Sequence, residues 1–356
     1  MTKRSVILSS IVTVIGIILM SVSLVSCGFD FKNLDKKDYE TNTYEITESF
    51  YNVSIVSNTA DITFAPSDSD TARIVCFEHK KTTHSVSVKD GVLTISIDDE
   101  RKWYDYITPF SFSSPTITVY LPLSEYGALT VSSDTSDVTI PKGFTFESID
   151  ISLDTGDFKS SASTQNFVKV DASTGNVQLS DMSAKDLTIS LSTGDVTLER
   201  CSFENICAKT STGKHKVSSL TISGDYTLEV STGDAEINNV NCNSFTSTGN
   251  SGEISLKNFT ATATLSIERS TGDVELECCT AGCLSVNTST GDVDFDKSDA
   301  GEIYVKTSTG DVEGSLLTSK IFITKTSTGK VKVPASTTGG KCEITTSTGD
   351  IEITAP

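Results

Sequence analysis

Seven aspartates stand directly after the glycine of a repeat, at Asp157, Asp195, Asp234, Asp273, Asp292, Asp311 and Asp350. Asn176, Lys214, Glu253 and Lys330 fill the same slot after other glycines. The glycines themselves are 156, 175, 194, 213, 233, 252, 272, 291, 310, 329 and 349, and every interval is 19 or 20 residues. Ser-Thr-Gly occurs ten times in the chain. Ser-Thr-Gly-Asp is turn chemistry: glycine supplies a positive φ, and Ser, Thr and Asp bond to nearby backbone. If the repeats stack at strand spacing, Asp273, Asp292 and Asp311 form an acidic row about 4.8 Å apart. Their mutual repulsion in water is only about 1 kcal/mol per neighbouring pair. The first reading is therefore a solvated edge of turn formers. Asp273, Asp292 and Asp311 are the residues that would hold calcium if that edge took a cation. The spacing matches neither the nonapeptide calcium roll nor an EF-hand.

The other reactive residue types are sparse. Nine cysteines are present, at 27, 76, 201, 207, 242, 278, 279, 283 and 342. Counted from the repeat glycine, Cys201 and Cys279 fall at plus seven, beside Leu220, Val240 and Phe259, and Cys342 at minus seven. Those columns point inward, so these thiols read as small buried hydrophobes. Cys201 and Cys279 are four repeats apart, about 19 Å at strand spacing, too far for a disulfide. Cys278-Cys279-x3-Cys283 lacks the second pair that a zinc site needs. His79 and His84 flank a polar stretch that reads as a loop, and His215 falls in an inward column. No serine or cysteine stands with a histidine in a pattern that marks a nucleophile and its base. The glycine turns are not phosphate cradles, because the GxxxxGK[ST] order is absent. No cofactor is expected.

The elements that position these residues follow from the period. Around Gly194, Leu187, Ile189 and Leu191 alternate before the turn and Val196 and Leu198 after it, and the same columns recur in the neighbouring repeats. Period-two alternation means β-strand. Each repeat is a strand of about five residues, a tight turn, a shorter strand and a corner. A fixed period of this length is the signature of a solenoid. The chain is thus predicted to be all-β, with a parallel β-solenoid of 19–20-residue coils over 126–356. That is about eleven coils and roughly 50 Å of rod.

Four regions are expected. Lys3 and Arg4 precede an uncharged apolar run from Ser5 to Ser26, ending Leu24-Val25-Ser26-Cys27. Residues 1–27 read as a signal peptide whose lipobox cysteine, Cys27, is lipidated. The run is also long enough to span a bilayer uncleaved. Both alternatives place the rest of the chain on the extracytoplasmic face of the cell membrane. Residues 28–43 are polar and aperiodic and read as a tether. Residues 44–125 are an irregular N-terminal β part. There, strands flank Asn58-Thr59-Ala60-Asp61, and a hairpin turns at Asp90-Gly91. Within 98–115 lie Trp103, Tyr104, Tyr106, Phe110 and Phe112, either a cap on the open end or a contact for a partner.

The strand pair at 58–61, Gly-Val-Leu-Thr-Ile-Ser-Ile at 91–97, Ile-Thr-Val-Tyr-Leu-Pro at 117–122 and the Ser-Thr-Gly-Asp-Val coils together resemble one known family. This is the bacterial putative-adhesin family, domain of unknown function 4097, and the likeness runs over 45–356. The resemblance implies a β-solenoid of the cell envelope, with no catalytic residues to carry over. The net charge of −19 excludes nucleic acid as a partner. The remaining partners are the membrane through the N-terminal anchor, an envelope protein or a glycan. The function that fits is a non-enzymatic role in adhesion, scaffolding or envelope sensing. The alternative is a carbohydrate-active β-helix enzyme acting on an acidic polysaccharide. A passive hydroxyl array that binds water or mineral is the third reading.

Overall fold

A computed structural model of the chain describes residues 39–99 and 114–356. The anchor with Cys27 and the aromatic group Trp103, Tyr104, Tyr106, Phe110 and Phe112 lie outside the described residues. Every regular element among the described residues is a β-strand, and no helix among those residues is long and apolar enough to cross a membrane. The strands form a parallel β-solenoid of about twelve turns with irregular N-terminal strands.

One coil explains the rest. Asp186–Thr193 pairs in parallel with Phe167–Thr174 on one side and Asn205–Thr212 on the other. Leu187, Ile189 and Leu191 are buried while Thr188 and Ser190 face water. After the turn, Val196–Glu199 pairs with the equivalent short strands of its neighbours and buries Val196 and Leu198. The strands of each coil thus stack on those of the next around one continuous apolar core. At the turn the backbones stack so closely that a side chain has no room. Gly272 has φ +137°, and a Cβ there would lie 2.1 Å from the Gly252 carbonyl oxygen. The second corner, six residues after the glycine, is left-handed without glycine. Asp181, Arg200, Ser219, Asn239, Asn258, Cys278 and Lys297 occupy it with φ of 47–59°. That corner turns Cys278 outward and Cys279 in, so Cys279, like Cys201 and Cys342, is buried in the predicted inward column.

The coils do not stack in chain order at either end. The N-terminal strands are β1 (Tyr39–Ile46), β2 (Asn52–Ser57), β3 (Asp61–Pro66), β4 (Ala72–His79), β5 (Thr82–Lys89), β6 (Val92–Asp99), β7 (Thr116–Leu121), β8 (Glu125–Thr135) and β9 (Val138–Ile140). β2 lies between β6 and β8, and β3 between β7 and β9, all parallel. The coil turning at 58–60 is therefore internal, and β6 with β7 stacks outside it. Antiparallel strands then close this end: β5 on β6, β4 on β7 and β1 on β4. The structure departs from the sequence reading at two places here. Residues 39–43, read as tether, belong to β1, where the Tyr39 ring stacks on Phe77 at 5.2 Å. His84, read as flanking a loop, is a buried residue of β5. Of the polar run between the two histidines, 80–81 is a tight turn, and Thr82 and Thr83 already belong to β5.

The C-terminal end shows the mirror arrangement. Gly340–Thr345 and Ile351–Thr354 pair with Val293–Lys306 and Val312–Leu316. The preceding coil, Lys320–Lys325 and Val331–Lys332, is displaced outward and pairs only with the last one among the described residues. The coil of residues 340–354 is thereby an inner one.

Candidate functional site

The predicted acidic row exists, and its carboxylates are already engaged. The amide of Asp292 donates to Asp273 Oδ1 at 2.9 Å, that of Asp311 to Asp292 Oδ1 at 2.8 Å, and that of Asp350 to Asp311 Oδ1 at 2.7 Å. The same bond runs through Asp61, Asp137, Asp157, Asn176 and Asp195 at the other end of the rod. The turn lifts one amide out of the sheet ladder, and the acidic side chain of the neighbouring coil satisfies it. Asn176 serves equally well because its Oδ1 is the same acceptor. Thr-Gly-Asp turns are thus selected for backbone bonding between coils.

A second acidic row lies beside the first, three residues after the glycine. Glu275, Asp294, Glu313 and Glu352 are successive cross-strand neighbours. With Leu276, Phe295 and Gly314 they line a shallow open groove. Partial burial, then the charges of Glu313, Asp292, Glu275 and Asp273, raise the Asp294 carboxyl above the usual carboxylate range. The column is legible in the repeats up to Glu313. The adjacency of Glu313 and Glu352 is not, because it depends on the displaced coil.

The structure also assembles a polar cluster that spacing did not announce. Ser57 Oγ lies 3.3 Å from His84 Nε2, and His84 Nδ1 lies 2.7 Å from Glu78 Oε2. Asn42 Nδ2 and the His84 amide donate to the same carboxylate. The order serine, histidine, carboxylate matches that of a nucleophile with its base, which corrects the expectation of no such grouping. Its members come from β1, β2, β4 and β5, so only the fold joins them. All three are buried, with Ser57 2% and His84 3% exposed, which leaves the hydroxyl without an approach for substrate. Cys76 Sγ completes a trio with Glu78 and His84 whose donor atoms lie within 4.8 Å of one another. Burial, then the Glu78 charge, pushes the Cys76 thiol up to about 12. The 2.7 Å contact between His84 and Glu78 is a hydrogen bond rather than the wider separation of two ligands around one ion. The cluster pins the antiparallel N-terminal strands to the first coils.

Two further polar side chains lie inside the rod. Arg269 occupies the inward column three residues before Gly272 and is 5% exposed. Its Nη2 donates to Ser247 Oγ at 2.9 Å, and among the described residues no carboxylate pairs with it. Burial pulls its pKa down to about 10. His215 Nε2 meets Thr210 Oγ1 at 2.8 Å, and burial, outweighing the Asp195 charge, pulls the ring down to about 4.

Stacked parallel coils, with turns bonded from coil to coil, define the class as a parallel β-solenoid of the kind the sequence resembles. The family model described as Toastrack DUF4097 matches residues 50–248 and 237–356, and the chain belongs to that family. No curated protein matches the chain. Among solved structures, a putative adhesin from Bacteroides fragilis is 16% identical, with 90% of this chain and 99% of that chain covered and a TM-score of 0.34. A putative adhesin from Parabacteroides distasonis is 15% identical, covering 76% of this chain and 97% of its own, with a TM-score of 0.39. A putative lipid binding protein from the same species is 15% identical over 88% and 97%, with a TM-score of 0.29.

Proposed function

We propose that the protein is a membrane-anchored, extracytoplasmic, non-enzymatic β-solenoid that presents a rigid surface for adhesion, scaffolding or envelope sensing. The observation that carries this reading is the turn ladder. The most repeated acidic side chains of the chain hold backbone amides of neighbouring coils, so the repeat serves the rod. The charged, then apolar N-terminus ending at Cys27 supports export and lipid attachment. Trp103, Tyr104, Tyr106, Phe110 and Phe112 supply the aromatic anchors that interfaces use. The alternative of an enzyme for an acidic polysaccharide is disfavoured by the row Glu275, Asp294, Glu313 and Glu352, which repels a polyanion.

Metabolic labelling with a lipid analogue tests the anchor. Cys27→Ala should lose the label and remain unprocessed; an unchanged, labelled mature form defeats the lipobox. Deleting 101–112 tests the contact. Attachment of expressing cells to glycan or protein surfaces should fall while the circular dichroism spectrum stays β. Retained attachment by the deleted form would move the binding surface elsewhere.

A further inference from the structure

The displaced coil is the outermost one at this end of the rod among the described residues. Lys320–Lys325 and Val331–Lys332 each have one strand neighbour among the described residues, so each presents a row of unpaired backbone groups. Leu317, Ile321, Ile323 and Val331 are between 42% and 51% exposed. They are four of the eight large apolar residues exposed among the described residues. Ile321 and Ile323 stand on the outer face of the terminal strand, where the adjacent coil carries Lys341 and Glu343. Val331 belongs to the inward column and is exposed because no described strand lies on its outer side.

The same end has a charge opposite to the rest of the chain. Residues 314–342 contain Lys320, Lys325, Lys330, Lys332 and Lys341 and not one Asp or Glu, within a chain of net charge −19. Lys320, Lys332 and Lys341 are paired with Asp299, Glu352 and Glu343. Lys325 and Lys330 are exposed and have no carboxylate partner among the described residues. At the opposite end of the rod the balance is reversed. Residues 39–72 carry Glu40, Glu45, Glu48, Asp61, Asp68 and Asp70 and no Lys or Arg. Over 39–99 ten acids face the four bases Arg73, Lys80, Lys81 and Lys89. Glu40, Glu45 and Glu48 are exposed on or beside β1, whose strand partner among the described residues is β4.

We propose that copies of this chain associate head to tail, the basic open coil of one copy seated against the acidic β1 end of the next. Unpaired strand edges favour a protein partner over a bilayer, since lipid leaves backbone groups unbonded. The lysines oppose tail-to-tail pairing of two open coils, and the same lysines attract β1. The contact joins unlike surfaces, so it propagates into a filament rather than closing as a dimer.

The test is sedimentation velocity of the full chain in mild detergent, across concentration and salt. Association should grow with concentration and weaken as salt rises. Lys325→Glu with Lys330→Glu reverses the tail; Glu40→Lys with Glu45→Lys reverses the head. Each pair should weaken association by at least about tenfold. Mixing the two variants should restore it, because each end then meets an opposite charge. Ile323→Lys should weaken association without touching the acidic end. A wild-type chain that stays monomeric throughout overturns the proposal, as does association that both reversals leave intact. Binding to phosphatidylglycerol vesicles that depends on Lys325 and Lys330 in a monomeric protein overturns it in favour of lipid.

Discussion

The amide of Lys330 donates to Asp350 Oδ1 at 2.7 Å, although Asp350 lies twenty residues further along the chain. Every other bond of the turn ladder runs from an earlier acceptor to a later amide. This one runs backward, because the final coil has slipped beneath the coil before it. Residues 340–354 therefore hold the outer coil in place.

Removing residues 340–356 should then free more than the residues deleted. Lys320–Lys325 and Val331–Lys332 lose their sheet partners. Hydrogen exchange of 318–333 should rise to the unprotected rate while exchange in 168–256 stays unchanged. Retained protection over 318–333 would mean that the outer coil can reseat directly on Val293–Leu316.

Asp292→Ala leaves the Asp311 amide without its acceptor. The loss should be about 1 kcal/mol, the net worth of such a bond. Asp292→Asn keeps the acceptor and should melt within a degree or two of wild type, as expected for a change well under 1 kcal/mol. Equal melting of the alanine and asparagine variants would show that water replaces the carboxylate.

His215 should make the rod sensitive to acid. Burial lowers the ring from its ordinary 6.5 to about 4, so on acidification the unfolded chain takes up a proton before the folded chain does. Stability is complete above about 6.5, falls between there and about 4, and levels off below. The shift corresponds to a few kcal/mol at most, about 1.4 kcal/mol per pH unit. His215→Leu should flatten the difference in melting temperature across that window relative to wild type. A parallel pH profile for the two proteins would remove His215 from the account.

Arg269 carries a buried charge with one hydroxyl partner. Replacing it by Met keeps the volume and removes the desolvation cost. Arg269→Met should be neutral or stabilising by about 1–4 kcal/mol. A clear loss of stability in chemical denaturation would indicate that the guanidinium is compensated by groups other than Ser247.

The repeat made the solenoid readable from the amino acids alone. Glycine is the only residue that fits where Gly252, Gly272 and Gly291 stack, and that local constraint marks the sequence at every coil. The inward columns, including Cys201, Cys279, Cys342 and His215, follow from the same two-residue alternation. What needed the tertiary structure were relationships between coils that the period leaves undetermined. All coils share one shape, so the sequence cannot say which one follows which at an end. The slip that places Lys320–Lys325 outermost was therefore hidden, and so was the meeting of Glu313 with Glu352. The Ser57, His84 and Glu78 cluster was hidden for another reason: it lies where the period fails, on strands joined antiparallel, and no fixed spacing links residues that only packing brings together.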